Sequence, residues 1–257
     1  VRSAELFSVF EDYHPEIVFH LAAQIDVRRS MFDPHHDADI NVLGTLNLLQ
    51  AAQKYKTKKI IFSSTGGAIY GEQLYFPADE KHITNPTSVY GISKLSAEKY
   101  LHCLGPLHNI IPICLRYSNV YGPRQDPHGE AGVVAIFINK MLQNETPSIF
   151  GDGKQTRDFV FVEDVIQANL KALNYYKSGT FNISATDETN VNELYHLIAN
   201  TMKFDKKPDY LPARAGEQLR SVIDNTLAYK ELGWKPQYHV NDGLKKTVQY
   251  FVERSKQ

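Results

Sequence analysis

The sequence predicts an α/β protein built on a doubly wound parallel sheet, with a smaller second part toward the C-terminus. Three observations carry this prediction: apolar runs that are continuous rather than alternating, helical periodicity between them, and a change of rhythm beyond Asn119. A strand covered on both faces has no polar side, so it reads as an unbroken apolar run. Such strands separated by helices form parallel sheets.

The spacing of Leu6, Phe7, Val9 and Phe10 predicts a first helix that closes near His14-Pro15. Ile17-Val18-Phe19-His20-Leu21 follows as a buried strand. A helix is expected near His36 to Tyr55, then the strand Lys59 to Ser63, a helix near Val89 to Leu104, and the strand Ile111 to Tyr117. Beyond Asn119 a loop rich in Gly, Pro and Asp runs to Gly129. It leads into a helix, short strands and polar loops such as Phe150-Gly151-Asp152-Gly153-Lys154. A helix near Glu163 to Tyr176 precedes a short strand, Thr180 to Ile183, so a segment near 158–184 is expected to return to the first sheet. The predicted division is therefore 1–118 and 119–257.

At 257 residues the chain has ample apolar material for a core. A formal net charge of −1 and the absence of like-charge runs argue against a nucleic-acid or polyanion binder and favour a small-molecule site. No apolar run reaches the ~18–20 residues of a membrane span, and no signal peptide pattern opens the chain, so a cytoplasmic location is expected. The two cysteines, Cys103 and Cys114, sit in apolar sequence and read as reduced core residues. Val1-Arg2-Ser3 leads directly into a helical pattern, as in a fragment of a longer chain.

Tyr90 and Lys94 stand four apart in Tyr90-Gly91-Ile92-Ser93-Lys94 and so share a helix face. An ammonium beside a phenol favours the phenolate, which would bring Tyr90 toward working pH as a general base. Taken alone, the pair equally fits an exposed Tyr and Lys at helical spacing. Ser63-Ser64-Thr65-Gly66-Gly67 closes the second strand and puts three hydroxyls at the carboxyl end of a parallel strand, where open α/β sheets bind ligands. Thr65 donating to a substrate oxygen, with Tyr90 taking its proton, would make an alcohol-oxidising set. A Ser/Thr turn that caps a strand is the plainer reading of the same residues.

These segments, together with Phe19-His20-Leu21-Ala22-Ala23-Gln24, Leu115-Arg116-Tyr117-Ser118-Asn119 and the run Arg157-Asp158 to Glu163-Asp164, occur in the order seen in extended short-chain dehydrogenases. The chain resembles the UDP-glucose 4-epimerases of that group over nearly its whole length, down to Glu231-Leu232-Gly233-Trp234. The resemblance implies a Rossmann-like sheet, NAD as cofactor, a UDP-hexose substrate and a homodimer, with no metal. It implies that Thr65, Tyr90 and Lys94 are catalytic, with Lys94 also binding the cofactor ribose. Ala22, Ala23, Gln24, Asn41, Ser63, Ser64 and Tyr117 would join Tyr90 and Lys94 around NAD. Asn119, Phe150, Arg157, Arg214 and Glu217 would hold the sugar nucleotide, the arginines gripping its diphosphate and Phe150 stacking on uracil.

Members of this group begin with a strand, a glycine-rich turn and a helix that holds the pyrophosphate. Neither Gly66-Gly67 nor Gly151-Asp152-Gly153 replaces that turn, so the expected grip on NAD rests on the nicotinamide half, and cofactor retention by the chain as written is expected to fail. Related dehydratases and decarboxylases resemble one another in carrying an acidic residue just after the Ser/Thr, where this chain has Gly66-Gly67-Ala68-Ile69. Epimerisation at C4 through a 4-keto sugar is the reaction this leaves. A UDP-glucuronate epimerase or decarboxylase, and a catalytically silent dinucleotide-binding protein of the same fold, are the alternatives. By the same resemblance Ser221 stands where a bulky residue would restrict the sugar's C2 substituent, so N-acetylhexosamine nucleotides are expected to fit.

Overall fold

Ile60 and Phe62 point to one side of their strand and Ile61 to the other, and two helical layers form around that alternation. The computed structural model describes residues 1–3, 5–127, 132–213 and 218–256. Along the first part run α1 (Glu5–Tyr13), β1 (Ile17–His20), α2 (Val27–Phe32), α3 (Pro34–Ala38), a π-helical turn (Asp39–Leu43), α4 (Gly44–Lys54) and β2 (Lys59–Thr65). After them come α5 (Gly66–Ile69), α6 (Val89–Leu104), a 3₁₀ turn (Pro106–His108) and β3 (Ile111–Tyr117). Then follow β4 (Asn119–Tyr121), α7 (Val133–Leu142), β5 (Ser148–Phe150), β6 (Thr156–Phe161), α8 (Val162–Leu173) and β7 (Gly179–Ile183). The chain closes with β8 (Glu188–Asn190), α9 (Val191–Met202), β9 (Asp209–Leu211), β10 (Arg220–Ser221), α10 (Thr226–Leu232) and α11 (Val240–Arg254).

The first sheet has the order β1-β2-β3-β7 and all its described pairings are parallel. Ile60, Phe62 and Cys114 pack under Phe10 of α1, Leu48 and Leu49 of α4, and Ala97 and Leu101 of α6. Ile61, Ile113 and Leu115 pack on the other face against Val165 and Ala168 of α8 and Ala228 and Leu232 of α10. Each large apolar side chain buried in this way stabilises the fold by about 1.5–3 kcal/mol.

A second sheet, β10-β6-β4, is parallel along its path and carries β8 antiparallel on β6. Beneath it α7, α9 and α11 share a core with Tyr121, Phe137, Phe159, Phe161, Leu194 and Leu244. β5 and β9 form a separate parallel pair.

Local chemistry sets several of the boundaries. Asp26 accepts from Arg29 N at 2.7 Å to start α2, and Asp33 accepts from His36 N at 3.0 Å before Pro34 starts α3. Gly233 ends α10 with φ +63°, the left-handed conformation glycine adopts freely. Trp234 Nε1 then donates to the Asp164 carbonyl at 2.9 Å, which ties the chain after α10 to the start of α8.

Four expectations are corrected. The single helix near His36 to Tyr55 is α3 and α4 joined through the π turn, which adds one residue to the helical ladder around Asn41. Phe19 is 40% exposed because β1 pairs on one side only, so this strand is not buried throughout. Cys114 is buried, but Cys103 is exposed on the outer face of α6. The third and fourth concern Cys103 and the span of β1, which ends at His20 and leaves Leu21 61% exposed.

Candidate active site

The carboxyl ends of β1, β2 and β3 lie side by side, and the register sets Thr65 beside Tyr117. α6 crosses above them. Ser88 caps it, its side chain accepting from Gly91 N at 3.1 Å, and Ser30 of α2 accepts from Tyr90 N at 3.1 Å. A Cβ on Gly91 would lie 2.6 Å from the Ala68 carbonyl oxygen, so only glycine lets α6 come this close to α5. That approach brings the first turn of α6, with Tyr90, toward Thr65 at the end of β2, close enough for Thr65 to favour the phenolate.

Tyr90 does not titrate as charge proximity alone predicts. Burial, and then the Asp37 carboxylate, push its phenol up to about 12, and the nearby Thr65 opposes this only in part. Lys94 is 3% exposed, with its ammonium 4.3 Å from the Phe62 ring centroid and no hydrogen bond to the described residues. Burial lowers it to about 8, while Glu98, Cys114 and Asp37 pull the other way. At neutral pH the pair is a protonated phenol and an ammonium.

Ser63 and Ser64 point to opposite faces of β2. Ser63 Oγ donates to Tyr117 Oη at 3.2 Å, and Asn169 of α8 donates to the same oxygen at 2.9 Å. Ser64 instead donates to Glu98 in the core beneath α6, so its hydroxyl is turned away from that of Ser63. Strand alternation is the cause: Ser63 faces the α8 side and Ser64 faces α6.

The loop after β1 carries Ala22, exposed, and Ala23, half-buried. Gln24 and Asn41 are buried and bond to each other twice: Gln24 N donates to Asn41 Oδ1 and Asn41 Nδ2 donates to Gln24 O, both at 2.9 Å. Gln24 therefore supports this loop and does not face outward. His20 Nε2 meets Thr45 Oγ1 at 2.9 Å, and because Thr45 donates to Asn41 O, the imidazole must be the donor. Burial pushes His20 down to about 3, so it is neutral.

Behind α6 lies a buried network absent from the sequence-based expectations. Arg116 donates to both oxygens of Glu98, at 3.0 and 2.7 Å, and to Tyr70 Oη at 2.9 Å, and Tyr70 donates to Asn182 at 2.7 Å. Burial disfavours the Arg116 charge, but the Glu98 pair outweighs it and raises the guanidinium further. The available signal was spacing: Glu98 stands four residues after Lys94 on the same helix.

A cavity of about 350 Å³ opens beside this site, and Asn119, Lys140, Phe150, Gln155, Arg157 and Leu211 are among its lining residues. Asn119 connects the two regions, because its Oδ1 lies 3.8 Å from where a Gly67 Cβ would stand. Gln155 donates to the Phe150 carbonyl at 2.9 Å, and Arg157 to the Thr156 carbonyl at 2.8 Å. Ser221 is 4% exposed on β10, in register with Arg157. Arg214 and Glu217 lie outside the described residues.

A phenol, hydroxyls and a buried ammonium at the carboxyl ends of parallel strands, beside a nucleotide-sized cavity, define a dinucleotide-dependent enzyme acting on a nucleotide-linked alcohol. The sequence model of the NAD dependent epimerase/dehydratase family matches residues 1–184, and the chain belongs to that family. A relative from Methanocaldococcus jannaschii, provisionally named UDP-glucose 4-epimerase, is 50% identical over 256 residues, 100% of this chain and 83% of the relative. The crystal structure of UDP-glucose 4-epimerase with UDP-glucose from Thermotoga maritima superimposes with a TM-score of 0.95 at 47% identity, over 97% of this chain and 81% of that one. The Thermus thermophilus UDP-glucose 4-epimerase in complex with NAD gives a TM-score of 0.90 at 38% identity, over 98% and 82%. The Rossmann-like fold expected from the sequence is the fold of these relatives.

Proposed function

We propose that the protein interconverts UDP-glucose and UDP-galactose by epimerisation at C4, with NAD as a cofactor that is not consumed. The observation that carries this reading is the close approach of α6, bearing Tyr90 and the buried Lys94, to Thr65 at the carboxyl end of β2, beside the cavity of Asn119, Phe150 and Arg157. Once its own proton has left to solvent, Tyr90 as the phenolate takes the proton of the sugar's 4-hydroxyl while Thr65 donates to the same oxygen, and Tyr90 returns the proton once the 4-keto sugar has turned its other face. Asn119 and Arg157 hold the nucleotide end during that rotation, joined by Arg214 and Glu217, and Phe150 stacks on the base.

Ala22, Ala23, Ser63, Tyr117 and Lys94 are the residues that would hold NAD. The fit rests on the donor set: a buried ammonium without a hydrogen-bond partner among the described residues suits ribose hydroxyls, and the small side chains after β1 leave backbone accessible. When bound there, NAD supplies the hydride acceptor for C4 and a positive ring that favours the Tyr90 phenolate.

Glycine after Thr65 supports epimerisation over elimination. A Cβ on Gly66 would overlap Ile223 Cδ1, so no carboxylate can stand there without repacking. We also infer a cytoplasmic homodimer that uses α6, since α6 presents Ile92 and Tyr100, 51% and 42% exposed, and light scattering reads its mass. The division at residue 118 is part of the same reading: the first portion holds NAD and the second mainly the sugar nucleotide.

The deciding experiment follows UDP-glucose by proton NMR with the purified protein and NAD. Appearance of UDP-galactose, without net NADH, supports the reading. A C6-altered or 4-keto-6-deoxy product would replace it.

A further inference from the structure

Asp37 had no part in the sequence-based site, and it is 0% exposed. Its Oδ1 accepts from Gln24 Nε2 at 2.9 Å and from Asn41 Nδ2 at 3.0 Å. It therefore closes the cluster that fixes the loop after β1, and it sets which way both amides face. Its Oδ2 is buried without a hydrogen-bond partner among the described residues. A buried carboxylate oxygen left bare is costly, so holding Gln24 and Asn41, which uses only Oδ1, does not by itself account for a carboxylate here. The π turn that follows α3 carries Asn41, and such turns are frequent at functional sites.

The charge has a direction. α3, which carries Asp37, packs directly on α6, which carries Tyr90 and Lys94, and the Asp37 charge raises the pKa of both. The other titratable groups around the pair are accounted for. Glu98 of α6 acts more strongly than Asp37 on Lys94, but it is bound to Arg116 and is not among the causes acting on Tyr90. Cys114 of β3 is a thiol that burial pushes well up, and His20 of β1 is neutral. Asp37 is the one charged group among those causes acting on the phenol.

We propose that Asp37 is a positioning residue of this site: one carboxylate oxygen fixes Gln24 and Asn41, and the other presents a negative charge to the Tyr90–Lys94 pair. The inference rests on the reading of Tyr90 as the proton-transfer residue. Its functional consequence is that the proton stays on Tyr90 until substrate and cofactor charge are in place.

Asp37→Asn separates the two roles. The amide keeps an acceptor oxygen for Gln24 and Asn41, places its NH₂ where Oδ2 stood, and removes only the charge. Tyr90 is titrated by NMR of protein labelled at the tyrosine ζ carbon, with its resonance assigned by loss in Tyr90→Phe. The expected result is a Tyr90 midpoint lower than in the unaltered protein by roughly half a pH unit or more, with Asp37→Glu restoring it. An unchanged midpoint in folded D37N overturns the proposal. Should D37N fail to fold, Asp37→Ser, also uncharged, is read the same way. A parallel pH profile of UDP-glucose turnover should shift to lower pH in D37N. Absence of turnover in the unaltered protein would remove the proposed activity, while the NMR titration would still decide the role of Asp37.

Discussion

Gly91 and Ala68 lie so close that a Cβ on the glycine would stand 2.6 Å from the alanine's carbonyl oxygen, and this approach sets how near the first turn of α6, which carries Tyr90, comes to α5, which follows Thr65. The second neighbour, Pro86 Cβ at 2.9 Å, is no more able to yield. Gly91→Ala should push the first turn of α6 away from α5 and lower turnover by about 10²-fold or more, while UDP-sugar affinity, set by the separate cavity, stays near normal. Steady-state kinetics with UDP-binding calorimetry checks it. A variant with unchanged kcat would show that the Tyr90–Thr65 contact does not depend on this approach.

Tyr90→Phe removes the hydroxyl and keeps the ring. Turnover should fall by about 10²- to 10⁴-fold, the usual size of a lost general acid–base, with UDP-glucose binding largely intact. Near-normal turnover would take Tyr90 out of the mechanism.

Glu98 and Arg116 make a two-bond ion pair with side chains 2% and 6% exposed. Breaking one partner leaves the other charge buried and alone, so Glu98→Gln or Arg116→Met should each cost about 3–5 kcal/mol in urea denaturation. The double replacement by Met should cost less than the sum of the two, because it leaves no unpaired charge. Additive losses would mean that the pair is not the unit of stability here.

The sheet was legible because burial on both faces writes itself into sequence: Ile60-Ile61-Phe62 and Ile113-Cys114-Leu115 have no polar alternation to confuse them. Long α6 was legible from its periodicity. The π turn was not, since nothing in Asp39-Ile40-Asn41-Val42-Leu43 distinguishes it from an ordinary helical turn. The opposite directions of the Ser63 and Ser64 hydroxyls follow from the period of two, but the partner of Ser64, Glu98, comes only through folding. Asp37 left no signal, because one Asp in His35-His36-Asp37-Ala38-Asp39 looks like any polar helix residue until Gln24 and Asn41 close on it through folding. Glu98 and Arg116 are far apart in sequence, and only the packing of α6 on β3 pairs them.

Asp158 gives the protein a distinct pH signature. It is 1% exposed, and its carboxylate accepts from Ser118 Oγ at 3.3 Å, Ala185 N at 3.1 Å and Ile223 N at 3.4 Å. Burial outweighs those bonds and pushes the carboxyl up to about 7. An unfolded Asp titrates near about 3.9. Between these values the folded protein holds a proton that the unfolded chain has released, so this group's contribution to stability falls as pH rises from about 4 to about 7. His20 acts in the opposite sense: its folded value of about 3 lies below the unfolded 6.5, so its contribution grows over that range. Comparing Asp158→Asn with the unaltered protein cancels His20, which both contain. Asparagine keeps an acceptor for Ser118 and Ala185 and loses the longest bond, to Ile223, so at pH 4 the variant should be equal or slightly less stable. As pH rises to about 7.5 the difference should move in the variant's favour, by on the order of 2–4 kcal/mol across the window. Urea denaturation at several pH values measures it. A stability difference that stays flat from pH 4 to 7.5 would mean that Asp158 is ionised in the folded protein throughout.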